Sequence, residues 1–278
     1  MQRVALHTLG CKLNLAETSA IGKQFLDRGF QLVEFGKPAD VCVINTCSVT
    51  ERADRECRQI IRRALRTSAN PVVIVTGCYA QLEPEEVAAI EGVDLVLGAK
   101  EKFDLFNYLG PLEKKLYPHV FVSEIDTVDN FGPAYSTDAT ERTRAFLKVQ
   151  DGCDFNCSFC TIPLARGPSR SQSIELCVAQ ARHLVAQGYK EIVLTGVNVG
   201  DYGKKASSSL IDLLRGLVAV DGLERIRISS IEPNLLTQEI IRFVADNETM
   251  AKHFHIPLQS GTDEVLKWMR RRYNTTLY

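Results

Sequence analysis

Three thiols fall within eight residues of the stretch CDFNCSFC: Cys153, Cys157 and Cys160, spaced C-x3-C-x2-C with no fourth cysteine nearby. A closed zinc or iron–sulfur site normally takes four protein ligands. Three ligands leave one metal position open, and a small molecule can bind there. Zinc would need a further ligand. The nearest candidates, Cys177 and His183, lie in a predicted helix at no recognised spacing. A second trio is more dispersed: Cys11 follows VALHTLG, Cys47 follows CVINT, and Cys78 follows VVIVTG. Each of these cysteines ends an apolar run that reads as a β-strand. In a parallel sheet wound on both faces, the carboxyl ends of neighbouring strands lie along one edge, where ligands bind. The three thiols are therefore expected to converge. Gly10 and Gly77, each just before a cysteine, would let backbone approach a cluster closely. Cys42 inside a strand, and Cys57 and Cys177 inside helices, read as ordinary core or surface residues rather than ligands.

The elements that must position these thiols alternate along the chain. Strands RVALHTLG, QLVEF, VCVINTC, PVVIVTGC and VDLVLGA are separated by helical patterns. Near-continuous apolar strands between helices point to an α/β fold, a doubly wound parallel-sheet domain, over residues 1–112. Residues 113–140 lose the alternation and read as a linker with one short strand, HVFVSEI. A second series over 141–278 has strand starts near 146, 191, 225 and 253, the last being HFHIPL. A closed eightfold barrel needs roughly 250 residues, so this series corresponds to a partial (β/α) barrel.

Composition excludes several classes. The chain has 278 residues, 45% of them apolar, and a net charge of −1, so positive charge for a nucleic acid must be local. No apolar run approaches the ~18 residues of a membrane span. The start, MQRVALHTLGC, resembles a first strand more than a signal peptide, and a cytoplasmic location is expected. In that compartment clustered cysteines favour metal binding or catalysis over disulfides.

C-x3-C-x2-C after the first strand of a βα barrel resembles the signature of the radical S-adenosylmethionine (SAM) superfamily. More specifically, TLGCKLN, VINTCSVT, VTGCYAQ, KVQDGCDFNCSFCTIPLARGPSRS, LTGVNVGDYG, RISSIEP and HIPLQSG together resemble the methylthiotransferases. The resemblance implies two [4Fe–4S] clusters: an auxiliary one on Cys11, Cys47 and Cys78, and the radical SAM cluster on Cys153, Cys157 and Cys160, whose fourth iron takes the amino and carboxylate groups of SAM. The implied chemistry is reductive cleavage of SAM to a 5′-deoxyadenosyl radical and transfer of a methylthio group to C2 of an adenosine. GCKLN looks most like the branch acting on N6-threonylcarbamoyladenosine at position 37 of tRNA. The isopentenyladenosine-37 branch, the ribosomal-protein aspartate branch and a non-catalytic iron–sulfur module remain as alternatives.

The resemblance also implies as partners the tRNA anticodon loop and an electron donor such as flavodoxin or ferredoxin. Phe159, Asn198, Ser230, Glu232 and Gln259, beside the cluster loop or at strand ends, are candidates for SAM contact. Basic runs occur in RQIIRRALR, LARGPSR and KWMRRRY. Arg166 and Arg170, next to the cluster loop, are candidates for phosphate contact, whereas Arg58, Arg62, Arg63 and Arg66 suit a solvated helix face. The family continues through two more barrel strands and a small RNA-binding β-barrel. Residues 1–278 are therefore expected to form a fragment with HFHIPL as an open, self-associating edge.

Overall fold

The computed structural model describes residues 1–48, 51–67, 70–128, 131–132, 134–135 and 143–278, with the side chains of 51, 52 and 54 excepted. It divides into two compact units. The first comprises Met1–Pro133 together with Leu164–Arg166, and the second Ala134–Pro163 with Gly167–Tyr278.

The first unit is built on β1 (Arg3–Thr8), α1 (Lys12–Leu26), β2 (Gln31–Val33), β3 (Val41–Thr46), α2 (Glu51–Thr67), β4 (Val72–Gly77), α3 (Cys78–Leu82), α4 (Pro84–Ala88), β5 (Leu95–Leu97), α5 (Leu105–Leu109) and β6 (His119–Phe121). All six strands form one parallel sheet in the order β2-β1-β3-β4-β5-β6. The central strands β3 and β4, buried along their whole length and mostly apolar, explain the helices on both faces. Val41, Val43, Val72 and Ile74 pack with Ile21 and Phe25 of α1 and Leu105 of α5. Their neighbours Cys42, Ile44, Val73 and Val75 pack with Cys57 and Ile61 of α2 and with Tyr79 and Val87. Alternate residues of a strand thus feed two separate cores.

The predicted boundary at residue 112 is corrected. His119–Phe121 pairs with Leu95–Leu97 as the sheet's edge strand. Lys114 Nζ reaches Asp94 at 2.7 Å and the carbonyl of Pro71 at 3.0 Å, so the beginning of the predicted linker is tied to the first sheet. Residues 129, 130, 133 and 136–140 of that linker, and 141–142 after it, lie outside the described residues.

The second unit contains β7 (Arg144–Lys148), β8 (Gln150–Asp151), the start of α6 (Ile162–Arg166), β9 (Arg170–Ser171), α7 (Ile174–Ala186), β10 (Glu191–Thr195), α8 (Leu210–Val218), β11 (Arg225–Ile228), α9 (Gln238–Asp246) and α10 (Asp263–Trp268). β7, β10 and β11 form a parallel sheet in the order β11-β10-β7, and β8 pairs antiparallel with β9. Leu147, Leu194 and Ile228 of the sheet meet Leu184 of α7, Leu213 and Leu214 of α8 and Val244 of α9 in one core. Sequence-readable caps start these helices: Ser173 accepts from Leu176 N, and Ser209 forms a capping box with Asp212.

The expected fourth strand, HFHIPL, does not form. Isolated bridges, Ile226↔Met250 just before this stretch and Ser230↔His255 within it, stand in place of a ladder along β11 and the residues after it. His253 N turns back onto Ala251 O at 2.7 Å, which breaks the ladder between the two bridges. The expected open strand edge is therefore replaced by irregular chain.

Candidate functional site

Strand register brings the first trio together. β1, β3 and β4 are neighbours, with Thr8 opposite Asn45 and Thr46 opposite Gly77. Cys11 caps α1 at its N-terminus, Cys47 follows β3, and Cys78 opens α3. All three occupy the carboxyl edge of one sheet, as expected. Gly10 (φ +96°) is packed so tightly on Cys47 that a Cβ there would lie 2.8 Å from its sulfur. At Gly77 (φ +100°) a Cβ would lie 2.3 Å from Thr46 O. Both glycines are therefore required by close approach as well as by their left-handed backbone. Cys47 and Cys78 are buried and Cys11 is exposed, so the trio is open on the Cys11 side. Burial pushes the Cys78 thiol up, while the nearby Arg166 and Lys102 cations pull the other way.

Beneath this trio lies a polar cluster that the sequence did not reveal. Asn14 Nδ2 donates to Leu9 O at 2.8 Å and to Thr46 O at 3.0 Å, holding the turns that lead into Cys11 and Cys47. Asn14 accepts from Arg166, which also pairs with Glu17 at 3.0 Å, and Glu17 pairs with Lys102 at 2.7 Å. Arg166 is only 2% exposed, so the expectation that it meets phosphate is corrected: its guanidinium is enclosed by these partners. Arg170 is partly buried and turned inward as well. Its Nη2 lies 3.4 Å from buried Asp151 and its Nη1 donates to Pro168 O at 3.1 Å.

The second trio lines a cavity of about 270 Å³ in the second unit. All five candidates for SAM contact, Phe159, Asn198, Ser230, Glu232 and Gln259, share its wall with Cys153, Cys157 and Cys160. β8 carries Gln150, which is fully buried and braces the turns around the cavity. Its Nε2 donates to Gly152 O at 2.7 Å and to Ser169 Oγ at 3.1 Å, while its Oε1 accepts from Asn198 N at 2.9 Å. One side chain thus fixes both the start of the cysteine loop and the turn after β10. Asn198 Oδ1 accepts from Glu232 N at 3.4 Å, linking the turn after β10 to that after β11. Ser230 Oγ lies 2.9 Å from His255 Nδ1. Gln259 has φ +68°, a left-handed conformation uncommon for a non-glycine residue and characteristic of functional sites.

Arg271, from the run KWMRRRY, was not singled out from the sequence, yet it completes this wall. Its Nη1 donates to Cys157 Sγ at 3.1 Å and its Nη2 to Glu232. Burial pushes the Glu232 carboxyl up, with the Arg271 charge opposing. Burial likewise raises the Cys160 thiol, and raises Cys153 to about 11.

The chemistry of the two trios is compatible with iron–sulfur ligation. The donor sets are all sulfur, as iron–sulfur clusters prefer. At the second trio, Asn198 Nδ2, Glu232 Oε2 and Arg271 Nε are buried without a hydrogen-bond partner among the described residues. Such spare capacity suits a polar ligand beside the cysteines. Cys57 donates to Cys47 O at 3.2 Å and, like Cys42 and Cys177, belongs to a core. Among the described residues no helix is long and apolar enough to cross a membrane.

Residues 3–98 match the family model described as uncharacterized protein family UPF0004, and residues 147–277 match the radical SAM superfamily. The chain is 44% identical to the threonylcarbamoyladenosine tRNA methylthiotransferase MtaB of Bacillus subtilis, across 100% of this chain and 62% of that protein. It thus spans about three fifths of that relative's length. The MtaB proteins of Aquifex aeolicus and Treponema pallidum are 40% and 32% identical, with 67% and 69% of their lengths covered and 99% and 98% of this chain. Among solved structures, the radical S-adenosylmethionine methyltransferase TsrM from Kitasatospora setae, with cobalamin and a [4Fe-4S] cluster bound, superposes with a TM-score of 0.63. That match covers 99% of this chain and 63% of TsrM at 14% identity, and bears on the fold alone. From the extent of these matches, the chain belongs to the methylthiotransferase family of the radical SAM superfamily.

Proposed function

We propose that this chain carries the core of a tRNA methylthiotransferase acting at C2 of N6-threonylcarbamoyladenosine at position 37. The observation that carries the reading is the cavity in which Cys153, Cys157 and Cys160 face Asn198, Glu232 and Gln259. Cys153, Cys157 and Cys160 would hold one [4Fe–4S] cluster, and Cys11, Cys47 and Cys78 a second, in separate units. The chemistry supplied at the first of these, when loaded with SAM, is reductive cleavage to a 5′-deoxyadenosyl radical. The protein's own part is positioning and exclusion of water. Asn198, fixed through its backbone by Gln150, keeps Nδ2 for an acceptor on the cofactor, and Glu232 keeps Oε2 for a donor. Phe159, 51% exposed beside the last ligand, offers a flat face to a base. Ile231, Pro257 and Val197 make the remaining wall apolar. In the first unit, the exposed side at Cys11 admits an exchangeable sulfur to an otherwise buried trio.

The substrate partner in this reading is the anticodon loop of tRNA. The electron donor is of the flavodoxin or ferredoxin type, and the location is cytoplasmic. The relatives named as threonylcarbamoyladenosine tRNA methylthiotransferases support this branch. Nucleoside mass spectrometry of tRNA from a strain lacking the gene is expected to show loss of 2-methylthio-N6-threonylcarbamoyladenosine, with its unmethylthiolated parent accumulating. Loss of the methylthio isopentenyl derivative instead would move the protein to the other tRNA branch.

A further inference from the structure

We infer that Arg271 is a positioning residue of the second cysteine site, tying the Cys157 sulfur to the Glu232 carboxylate and setting the charge felt by a cluster held there. The inference rests on the cluster reading of Cys153, Cys157 and Cys160. Arg271 donates to Cys157 Sγ at 3.1 Å through one terminal nitrogen and to Glu232 through the other. Its side chain is 4% exposed and that of Glu232 is 12% exposed. A planar guanidinium is suited to such a two-ended bridge, because its donors are fixed in one fork.

The segment carrying Arg271 is anchored against the ligand loop at several further points. Arg271 N donates to Leu266 O at 2.9 Å, closing the turn that ends α10, with Arg270 at φ +56°. Ser158, between two of the cysteines, donates from N to Met269 O at 3.2 Å and from Oγ to Trp268 O at 2.9 Å. The Arg272 guanidinium lies 4.0 Å from the Phe155 ring centroid and donates to Asp154 O at 3.3 Å. On the other side, Tyr273 OH reaches Leu258 O at 2.6 Å. Residues 268–273 therefore grip the loop from Asp154 to Ser158, and Arg271 is the member of that grip that touches a ligand sulfur.

Contact with a sulfur gives Arg271 an electrostatic role that the other anchors lack. An iron–sulfur cluster gains one negative charge on reduction, and hydrogen bonds to its sulfurs and nearby cations stabilise the reduced form. Arg271 supplies both. The Glu232 carboxylate opposes it, since a negative group at the same place favours the oxidised form. Removing the two partners should therefore shift the cluster's potential in opposite directions, which a purely mechanical strap cannot do.

The test uses the Cys11→Ala protein, reconstituted anaerobically so that only the second trio can hold a cluster, with an EPR-monitored redox titration. Arg271→Met is expected to move the midpoint potential to more negative values, and Glu232→Gln to more positive ones. Arg271→Lys keeps the charge without the fork and should fall between Arg271→Met and the parent. Arg272→Ala loosens the grip without touching sulfur and should leave the potential unchanged. If Arg271→Met cannot retain iron, the positive shift in Glu232→Gln decides the matter. Shifts of the same sign, or a parental potential in Glu232→Gln, would overturn the inference. Failure of the parent to bind any cluster would instead refute the underlying site reading, so the two failures are distinguishable.

Discussion

Arg166 and Glu17 form a two-point ion pair, Nη1 to Oε1 at 3.0 Å and Nη2 to Oε2 at 3.2 Å, with both side chains buried. The same carboxylate accepts from Lys102 at 2.7 Å. One anion therefore serves two buried cations directly beneath the first cysteine trio. Removing the shared partner of a buried ion pair leaves charge that water cannot reach. Glu17→Gln is expected to destabilise the first unit by about 3–5 kcal/mol. Hydrogen exchange at the amides of β1, β3 and β4 measures this locally, and a loss under about 1 kcal/mol would show that the pair is not isolated from solvent as its burial implies.

Two all-sulfur trios predict the iron stoichiometry. Anaerobic reconstitution should give about eight irons per chain, and about four in either Cys11→Ala or Cys157→Ala. A parent value near four, unchanged by Cys11→Ala, would remove the auxiliary cluster from the reading.

Gln150 makes hydrogen bonds to Gly152, Ser169 and Asn198 from one buried side chain. Gln150→Ala should keep the cysteines and the fold while loosening Asn198. The expected result is roughly 10–100-fold weaker SAM binding, the effect typical of losing a supporting residue one step from a ligand. Equilibrium binding to the reconstituted, unreduced protein reads this directly. An unchanged dissociation constant would mean that Asn198 does not need Gln150.

Cys177 gives a pH dependence with a defined sign. Burial raises its thiol from the ordinary 9.0 to about 12, and its neighbour Tyr202 is raised as well. In the unfolded chain the thiol ionises near its ordinary value, whereas in the folded chain it stays neutral. Stability of the second unit is thus unaffected below pH 9 and falls between pH 9 and about 12, by up to ~1.4 kcal/mol per pH unit from this group. Urea midpoints at pH 8 and pH 10.5 should diverge more in the parent than in Cys177→Ala. Equal divergence in both would assign the alkaline loss elsewhere.

The sequence by itself determined the alternation of strands and helices and the placement of Cys11, Cys47 and Cys78 at strand ends. These follow from local rules: strands buried on both faces read as apolar runs, and cysteines just after such runs must sit at the carboxyl edge of a parallel sheet. It also placed Asn198, Ser230 and Glu232 at strand ends, where a shared mouth was expected and found. It misjudged HFHIPL, because an apolar stretch cannot reveal that His253 folds back on Ala251. It also took Arg166 for a surface cation, since LARGPSR reads as a basic loop. Only the tertiary structure decided that Glu17, 149 residues away, buries and neutralises Arg166, and that Arg271 reaches Cys157 across 114 residues. Charge compensation is a property of three-dimensional neighbours, and periodicity along the chain carries no information about which distant carboxylate or thiol a guanidinium will meet.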